Sequence, residues 1–269
     1  MNDYRKIKDI FIEGNKFDYV NLTQSVMAYK KLTEALKKPL KLILLYGKPG
    51  TGKTFLLTKL YNDLKKKYPI IFFPTPFFDE NEFLAAIYKK IFKQEPPKTD
   101  SFDAFFKFFI NKMNKESISP ITILIDEAQL YPPALIEKIR LMADTRKFKF
   151  LFTVHKTDEE DVLAKDYFKT RIWETIEIKS ISIEELKLYL EKKLVYHNLF
   201  NYLSLLHEPQ YKLIHKFAKG NLRETNKLLY KTFEICEYYE NNEPKKLNPK
   251  KLKSKFLEMA ALDLRIIDD

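Results

Sequence analysis

The 269-residue sequence has one cysteine, few arginines and no long apolar run. Cys236 has no partner for an internal disulfide, which argues against a disulfide-stabilised secreted scaffold. No stretch reaches the ~20 apolar residues that a membrane-spanning helix needs, and the first residues lack the apolar core of a secretory signal. We therefore expect a protein of the reducing cytoplasm that does not itself cross a membrane.

The net charge of +11 comes mostly from lysine, since arginine is scarce among the 48 basic residues. A basic chain is typical of proteins that bind nucleic acid or anionic membranes. The same richness in Lys, Phe, Tyr, Ile and Asn is also typical of AT-rich coding sequence, and the sequence does not place the lysines on one face. An anionic partner and a solvated lysine surface both stay open, and the arginines are the more informative cations.

Apolar runs alternate with amphipathic stretches through the first two thirds of the chain. Runs typical of buried strands cover residues 40–46, 68–73, 121–125, 148–154 and 172–181. Helical patterns before and between them cover residues 24–37, 54–66, 80–92, 101–114 and 132–143. Such alternation predicts an α/β fold with a parallel five-stranded sheet sandwiched by helices.

Beyond residue 181 the strand signals stop. Helical patterns cover residues 183–196, 209–218, 222–239 and 249–262. We therefore expect an α/β domain over residues 1–181, followed by a small all-helical domain over residues 182–269.

A phosphate-binding motif follows the first predicted strand. Residues 47–54 read G-K-P-G-T-G-K-T and match G-x-x-x-x-G-K-[ST], with a predicted helix directly after. We expect Lys53 to neutralise the β- and γ-phosphate oxygens and Thr54 to ligate Mg²⁺. The sequence thus predicts ATP and Mg²⁺ as cofactors, with these candidate binding residues: Gly47, Lys48, Pro49, Gly50, Thr51, Gly52, Lys53, Thr54 and Phe55.

Two carboxylates end the third predicted strand. Asp126 stands where a P-loop protein places the carboxylate beside the metal ion. Glu127, the next residue, is positioned to polarise the attacking water as a general base. The pair favours hydrolysis over nucleotide binding alone, the alternative being two exposed carboxylates in a loop.

With these motifs the sequence resembles the AAA+ ATPases. The stretch L-I-D-E-A-Q at 124–129 is similar to the ExeA (GspA)-like subgroup, which is related to the transposition ATPases MuB and TnsC. The similarity runs from about residue 17 to about residue 239 and includes A-L-I-E-K-I-R-L-M-A-D at 134–144, similar to the leucine-rich helix after the family's DEAQ box. It implies that residues 17–40 form an N-terminal segment beside the adenine.

The resemblance implies roles for further residues. His155 stands where the family commonly has a glutamine that senses the γ-phosphate. Thr153 is the alternative sensor, and His155 would then be a surface residue at a strand end. Arg171 occupies the position of the arginine finger that reaches a neighbouring subunit, the alternative being a structural salt bridge. Arg223, within Gly220-Asn221-Leu222-Arg223, resembles the second sensor that folds over the phosphates, the alternative being a solvent-facing helix residue.

The resemblance also implies a homo-oligomer, ring or helical, that hydrolyses ATP between protomers. Its use would be the assembly or operation of a type II secretion, type IV pilus or DNA-uptake machine. The sequence ends at Asp269 without the membrane span and peptidoglycan-binding region of the full-length secretion ATPase, so we expect a partner to supply any contact with the inner membrane.

Two other functions stay open. The MuB and TnsC relatives imply an ATP-dependent DNA-binding protein, which the positive charge suits. A non-enzymatic scaffold gated by nucleotide is the third hypothesis, against which Glu127 argues.

Overall fold

The computed structural model describes residues 4–12, 20–99, 101–155 and 170–267. Within them the strands are β1 (Leu42–Tyr46), β2 (Ile70–Phe73), β3 (Ile121–Ile125), β4 (Phe148–Val154) and β5 (Ile172–Glu177). The helices are α1 (Tyr4–Asp9), α2 (Thr23–Lys37), α3 (Lys53–Leu64), α4 (Glu80–Phe92), α5 (Phe102–Lys115), α6 (Pro133–Asp144), α7 (Ile183–Tyr196), α8 (Glu208–Ala218), α9 (Leu222–Asn242) and α10 (Ser254–Asp263). Among these helices, none is long and apolar enough to cross a membrane.

The five strands form one sheet in the order β2-β3-β4-β1-β5, and every neighbouring pair is parallel. Strands β1, β3 and β4 are almost wholly buried, as expected of strands covered on both faces. Parallel pairing brings the carboxyl ends of all five strands to the same edge. The predicted α/β class with a five-stranded parallel sheet is confirmed.

Two predicted element boundaries differ from the structure by four residues or more. Strand β5 ends at Glu177 rather than at residue 181, because its partner strand β1 ends at Tyr46. Residues 47–54, called the glycine loop below, follow β1. Helix α10 begins at Ser254 rather than at residue 249. Upstream of it the Leu252 N–H donates to the Leu205 carbonyl at 2.9 Å, and the Leu252 side chain is buried.

The chain divides into two compact units. One contains the sheet and comprises residues 27–47 and 53–178; the other comprises residues 1–26, 48–52 and 179–269 and includes helices α7 to α10. Each unit has its own apolar core. The domain boundary expected at residue 181 stays a prediction.

Helix α1 was not predicted. It buries Tyr4 and Ile7 in the core of the helical unit, where Tyr4 and Phe11 stack on Phe233 of α9 with ring centroids 6.3 and 5.9 Å away. A helix of six residues shows less than two turns of apolar periodicity, so the sequence gives little sign of it.

Within the helical unit, Gln24 at the start of α2 contacts a buried carboxylate. Glu185 of α7 accepts hydrogen bonds from the Gln24 backbone N–H at 3.0 Å and from its side-chain amide at 3.3 Å. The Gln24 side chain also accepts from the Lys179 N–H at 3.1 Å. Of the predicted segment 17–40, residues 17–19 lie outside the described residues, and its place beside the adenine stays a prediction.

The sheet unit has an aromatic core built around Phe109 of α5. This fully buried ring has its centroid 5.3 Å from Tyr88, 5.6 Å from Phe92 and 5.7 Å from Phe148. Its neighbour Phe108 lies on the outer side of the same helix and is 43 % exposed. Substitutions at Phe109 and Phe108 can therefore be compared as changes to a core ring and to a surface ring at adjacent positions.

We predict that Phe109→Ala lowers the free energy of unfolding by ~3–5 kcal/mol, because it removes a large apolar side chain and leaves a cavity. The matched variant Phe108→Ala should lower it by ~1 kcal/mol or less. Urea denaturation followed by circular dichroism measures both values. Equal losses for the two variants would contradict the assigned core.

Candidate functional site

The glycine loop joins the end of β1 to the start of α3 and holds a buried lysine. Lys53, the first residue of α3, is 5 % exposed, and its Nζ donates to the Gly47 carbonyl at 2.8 Å. In residues 48–52, the crest of the loop, the Thr51 hydroxyl donates to the Lys48 carbonyl at 2.9 Å. The loop thus places a cation at the amino end of a helix, where the backbone dipole also favours an anion.

Space for a ligand is left beside Gly52. Its φ is +93°, and a Cβ built there meets no atom within 4 Å. In the sheet unit, the buried amine of Lys53 and the amino end of α3 fit a phosphate group. Thr54 and Phe55, the next residues of α3, are exposed, which leaves the Thr54 position accessible to a metal ion on that phosphate.

Three polar residues meet at the carboxyl ends of β3 and β4. The Thr153 hydroxyl, fully buried, donates to the carboxylate of Asp126, which is itself 2 % exposed. The same hydroxyl accepts the Glu127 backbone N–H at 3.0 Å. Thr153 therefore fixes both the side chain of Asp126 and the backbone of the residue after it.

Glu127 has a left-handed backbone with φ +51°, which non-glycine residues seldom adopt. Its side chain is partly exposed, and its Oε2 lies 3.0 Å from His155 Nε2 and accepts from the side-chain amide of Gln129. A buried carboxylate at Asp126 is thus followed by a solvent-accessible one at Glu127. This arrangement suits one acid that ligates a metal ion and one that accepts a proton from water.

The structure brings His155 to Glu127 and Thr153 to Asp126, so both candidate sensors adjoin the carboxylate pair. Gln129 was read in the sequence only as a letter of the DEAQ motif. Its position two residues after Glu127 gives no sign of the side-chain hydrogen bond, which depends on the turn that follows β3.

Arg171 lies away from these residues, at the opposite edge of the sheet. Arg171 precedes Ile172, which pairs with Leu42 at the start of β1. The glycine loop follows the other end of β1, four residues along the strand, and each residue of a strand adds ~3.3 Å. Its Nε lies 3.8 Å from Asp144 Oδ2. The structure therefore does not place Arg171 at the site of its own chain.

Asp144 is surrounded by cations. Lys41 pairs with it at 2.7 Å and Arg140 at 3.0 Å, in addition to Arg171. The hydrogen bond from Lys41 is the main cause that lowers the pKa of the Asp144 carboxyl. Asp144 therefore stays ionised and keeps an acceptor beside Arg171.

Arg223 lies exposed in the first turn of α9, directly after the helix cap Asn221. The Asn221 Oδ1 accepts the backbone N–H groups of Arg223 at 2.9 Å and Glu224 at 3.2 Å. Its Nδ2 donates to the Pro49 carbonyl in the loop crest at 2.8 Å. The sequence prediction includes no role for Asn221, although asparagine directly before a helical pattern is a strong capping signal.

A match to a known family covers the loop and the carboxylate pair. Residues 37–163 match the family model described as an AAA domain. Comparison with the sequences of curated proteins gives no match.

Solved structures similar to this one come from several AAA+ proteins. Cdc6p from Pyrobaculum aerophilum is 16 % identical with a TM-score of 0.65, over 87 % of this chain and 66 % of the other. The Aeropyrum pernix ORC1 protein, solved in complex with DNA, is 15 % identical with a TM-score of 0.59, over 96 % and 69 %. RuvB of Thermotoga maritima is 14 % identical with a TM-score of 0.56, over 91 % and 68 %.

These similarities identify the fold. The chain has a P-loop AAA+ fold with a helical C-terminal region, as predicted. It spans about two thirds of the length of the Pyrobaculum protein, and at these identities the resemblance concerns the fold alone.

We predict that Thr153→Val lowers the free energy of unfolding by ~1–3 kcal/mol, because the buried Asp126 carboxylate loses a hydrogen-bond donor without a change of side-chain shape. Thr175→Val, at an exposed position of β5, is the matched control and should change it by ~0.5 kcal/mol or less. Urea denaturation measures both. A Thr153→Val protein as stable as the control would show that the hydroxyl is dispensable.

Proposed function

We propose that this protein is a Mg²⁺-dependent ATPase that binds the triphosphate of ATP in its 47–54 loop. The observation that carries the proposal is the Thr153 hydroxyl, which joins the Asp126 carboxylate to the Glu127 backbone. These residues stand at the carboxyl edge of the parallel sheet, the edge from which the loop also departs. Ligands of open α/β sheets bind at this edge.

Each side chain then has a defined task. Lys53 neutralises the β- and γ-phosphate oxygens, while Glu127 orients the attacking water and accepts its proton. His155, next to the Glu127 carboxylate, senses the γ-phosphate and water. Arg223, in the first turn of α9, serves as the second sensor.

Thr54 and Asp126 would hold Mg²⁺, which withdraws charge from the phosphoryl group. Within the described residues no group of three acidic, histidine or cysteine side chains forms a metal site. A phosphate-bound Mg²⁺ needs no such group, since it keeps several waters and takes one or two protein ligands.

The position of Arg171 supports hydrolysis between protomers of a homo-oligomer, ring or helical. Arg171 lies at the amino ends of the strands, whereas the loop leaves their carboxyl ends. We therefore propose that Arg171 acts on the nucleotide of a neighbouring copy. Trp173, two residues later, is 68 % exposed on the edge strand β5. An exposed tryptophan beside a catalytic arginine suits a protein–protein contact, where both residue types are enriched.

We predict that purified protein releases phosphate from ATP and that Glu127→Gln lowers kcat at least ~100-fold while ATP still binds, because the general base is lost. Lys53→Ala should instead weaken ATP binding. Glu82→Gln, at an exposed position of α4, is the matched control and should leave turnover unchanged. Phosphate release and titration with a fluorescent ATP analogue measure the two effects; a wild-type protein that binds no ATP would overturn the proposal.

We predict that Arg171→Ala lowers kcat ~1,000-fold or more in a uniform assembly, because transition-state charge loses its trans-acting partner. Mixing this variant with Lys53→Ala protein should restore part of the turnover. In the mixture, a protomer with an intact loop meets a neighbour with an intact arginine. As the matched control, the Arg171→Ala protein is mixed with a double variant that carries Arg5→Ala and Lys53→Ala. This mixture should restore as much turnover, because Arg5 is an exposed residue of α1. Failure of every mixture to exceed its components would argue for a structural salt bridge with Asp144.

We further propose that turnover drives the assembly or operation of a type II secretion, type IV pilus or DNA-uptake machine, with contact to the inner membrane made by a partner. The support is the resemblance of Asp126-Glu127-Ala128-Gln129 to the ExeA-like subgroup. In a secretion or pilus role, a protein partner rather than DNA would stimulate the ATPase, whereas a DNA-uptake role fits stimulation by either.

Two observations favour a second candidate, an ATP-dependent DNA-binding protein of the MuB and TnsC type. The chain carries a net charge of +11, and the similar ORC1 structure contains DNA. Phosphate release measured with and without duplex DNA, at low and physiological salt, separates the candidates. DNA-independent turnover supports the machine, and stimulation that falls steeply with salt supports DNA binding. Tight ATP binding without turnover in either condition would instead indicate a nucleotide-gated scaffold.

A further inference from the structure

The crest of the glycine loop is hydrogen-bonded to the start of helix α9. Residues 48–52 and α9 belong to the same compact unit. The Asn221 side-chain amide donates to the Pro49 carbonyl at 2.8 Å, and the Leu222 backbone N–H donates to the Gly50 carbonyl at 3.3 Å. Two consecutive carbonyls of the crest therefore accept hydrogen bonds from the residues that begin the helix.

The Asn221 carboxamide works at both of its ends. Its Oδ1 caps α9 by accepting the N–H groups of Arg223 and Glu224, while its Nδ2 binds the crest at Pro49. Aspartate and serine cap helices as well as asparagine does, but neither has an amide donor that reaches the loop while its oxygen caps the helix. Capping alone therefore does not explain asparagine at this position.

Gly50 allows this close approach. Its φ is +76°, and a Cβ built there would lie 2.1 Å from Asn221 Oδ1 and 2.8 Å from Asn221 Cγ. A side chain at residue 50 would displace Asn221 from the crest. The glycine is thus required by the contact with α9 as well as by any approach of phosphate to the backbone.

The two acceptor carbonyls belong to the peptide groups that supply the N–H groups of the crest. The Pro49 carbonyl shares a peptide group with the Gly50 N–H, and the Gly50 carbonyl shares one with the Thr51 N–H. Peptide groups are planar and rigid, so a group that turns toward an anion also moves its carbonyl. Hydrogen bonds in series also polarise one another.

We propose that Asn221 is a positioning residue that couples nucleotide occupancy of the loop crest to the first turn of α9, and hence to Arg223. The inference rests on the proposed binding of ATP at the loop. Binding turns the crest peptides, the Asn221 and Leu222 hydrogen bonds transmit the change, and the Arg223 backbone moves with the cap. The loop and the second-sensor arginine then respond to nucleotide as one element.

The test is hydrogen exchange, measured by mass spectrometry on peptides that cover residues 222–225, with and without ATP and Mg²⁺. In the wild-type protein we expect ATP to slow exchange at least ~5-fold, the lower end of ordinary coupling between sites. Asn221→Asp and Asn221→Ser keep the helix cap and remove the donor to Pro49. In both variants this slowing should disappear, although titration with a fluorescent ATP analogue still shows binding.

Asn248→Asp is the matched control, because within the described part of the chain the Asn248 side chain forms a hydrogen bond only through its Oδ1, which accepts the Lys250 N–H at 2.9 Å. It should keep the wild-type response to ATP. The neutral Asn221→Ser variant separates the lost hydrogen bond from the added charge of Asn221→Asp.

Steady-state kinetics provide a second readout. We expect the two Asn221 variants to lower kcat more than they raise KM, since ATP still binds but no longer orients Arg223. Full ATP-dependent slowing of exchange in both Asn221 variants would overturn the coupling alone. A wild-type protein that binds no ATP would overturn the coupling together with the proposed function.

Discussion

The parallel register of β3, β4 and β1 is the constraint on which the candidate site depends. It aligns the ends of these strands, so that Asp126 and Thr153 become neighbours although they lie 27 positions apart along the chain. The same register puts Arg171, before β5, at the far edge. The parallel pairing of the strands thus brings Asp126 and Thr153 together and keeps Arg171 away from them.

Much of this arrangement could be predicted from the sequence, because the signals are local. Buried strands appear as apolar runs, and the bounds of β3 and β4 agree with the structure at both ends. The glycine pattern marks its own loop, and a carboxylate pair directly after an apolar run marks the end of β3. Each feature depends on a few consecutive residues.

What the sequence did not reveal depends on contacts between distant segments. The contact of His155 with Glu127 joins two strand ends, that of Arg171 with Asp144 joins the approaches to β5 and β4, and that of Asn221 with Pro49 spans 172 residues. Side-chain partners of this kind follow from the fold and not from spacing. The short helix α1 was not predicted for a different reason, because its six residues form less than two turns and show little apolar periodicity.

The left-handed backbone of Glu127 has a consequence for how this chain changes over evolution. A non-glycine residue in that region costs about 1–3 kcal/mol, which the rest of the fold must offset. Glycine or asparagine would relieve the strain, so selection for stability alone favours losing the carboxylate. A descendant in which the carboxylate has no task would gain backbone stability by exchanging this glutamate for glycine or asparagine.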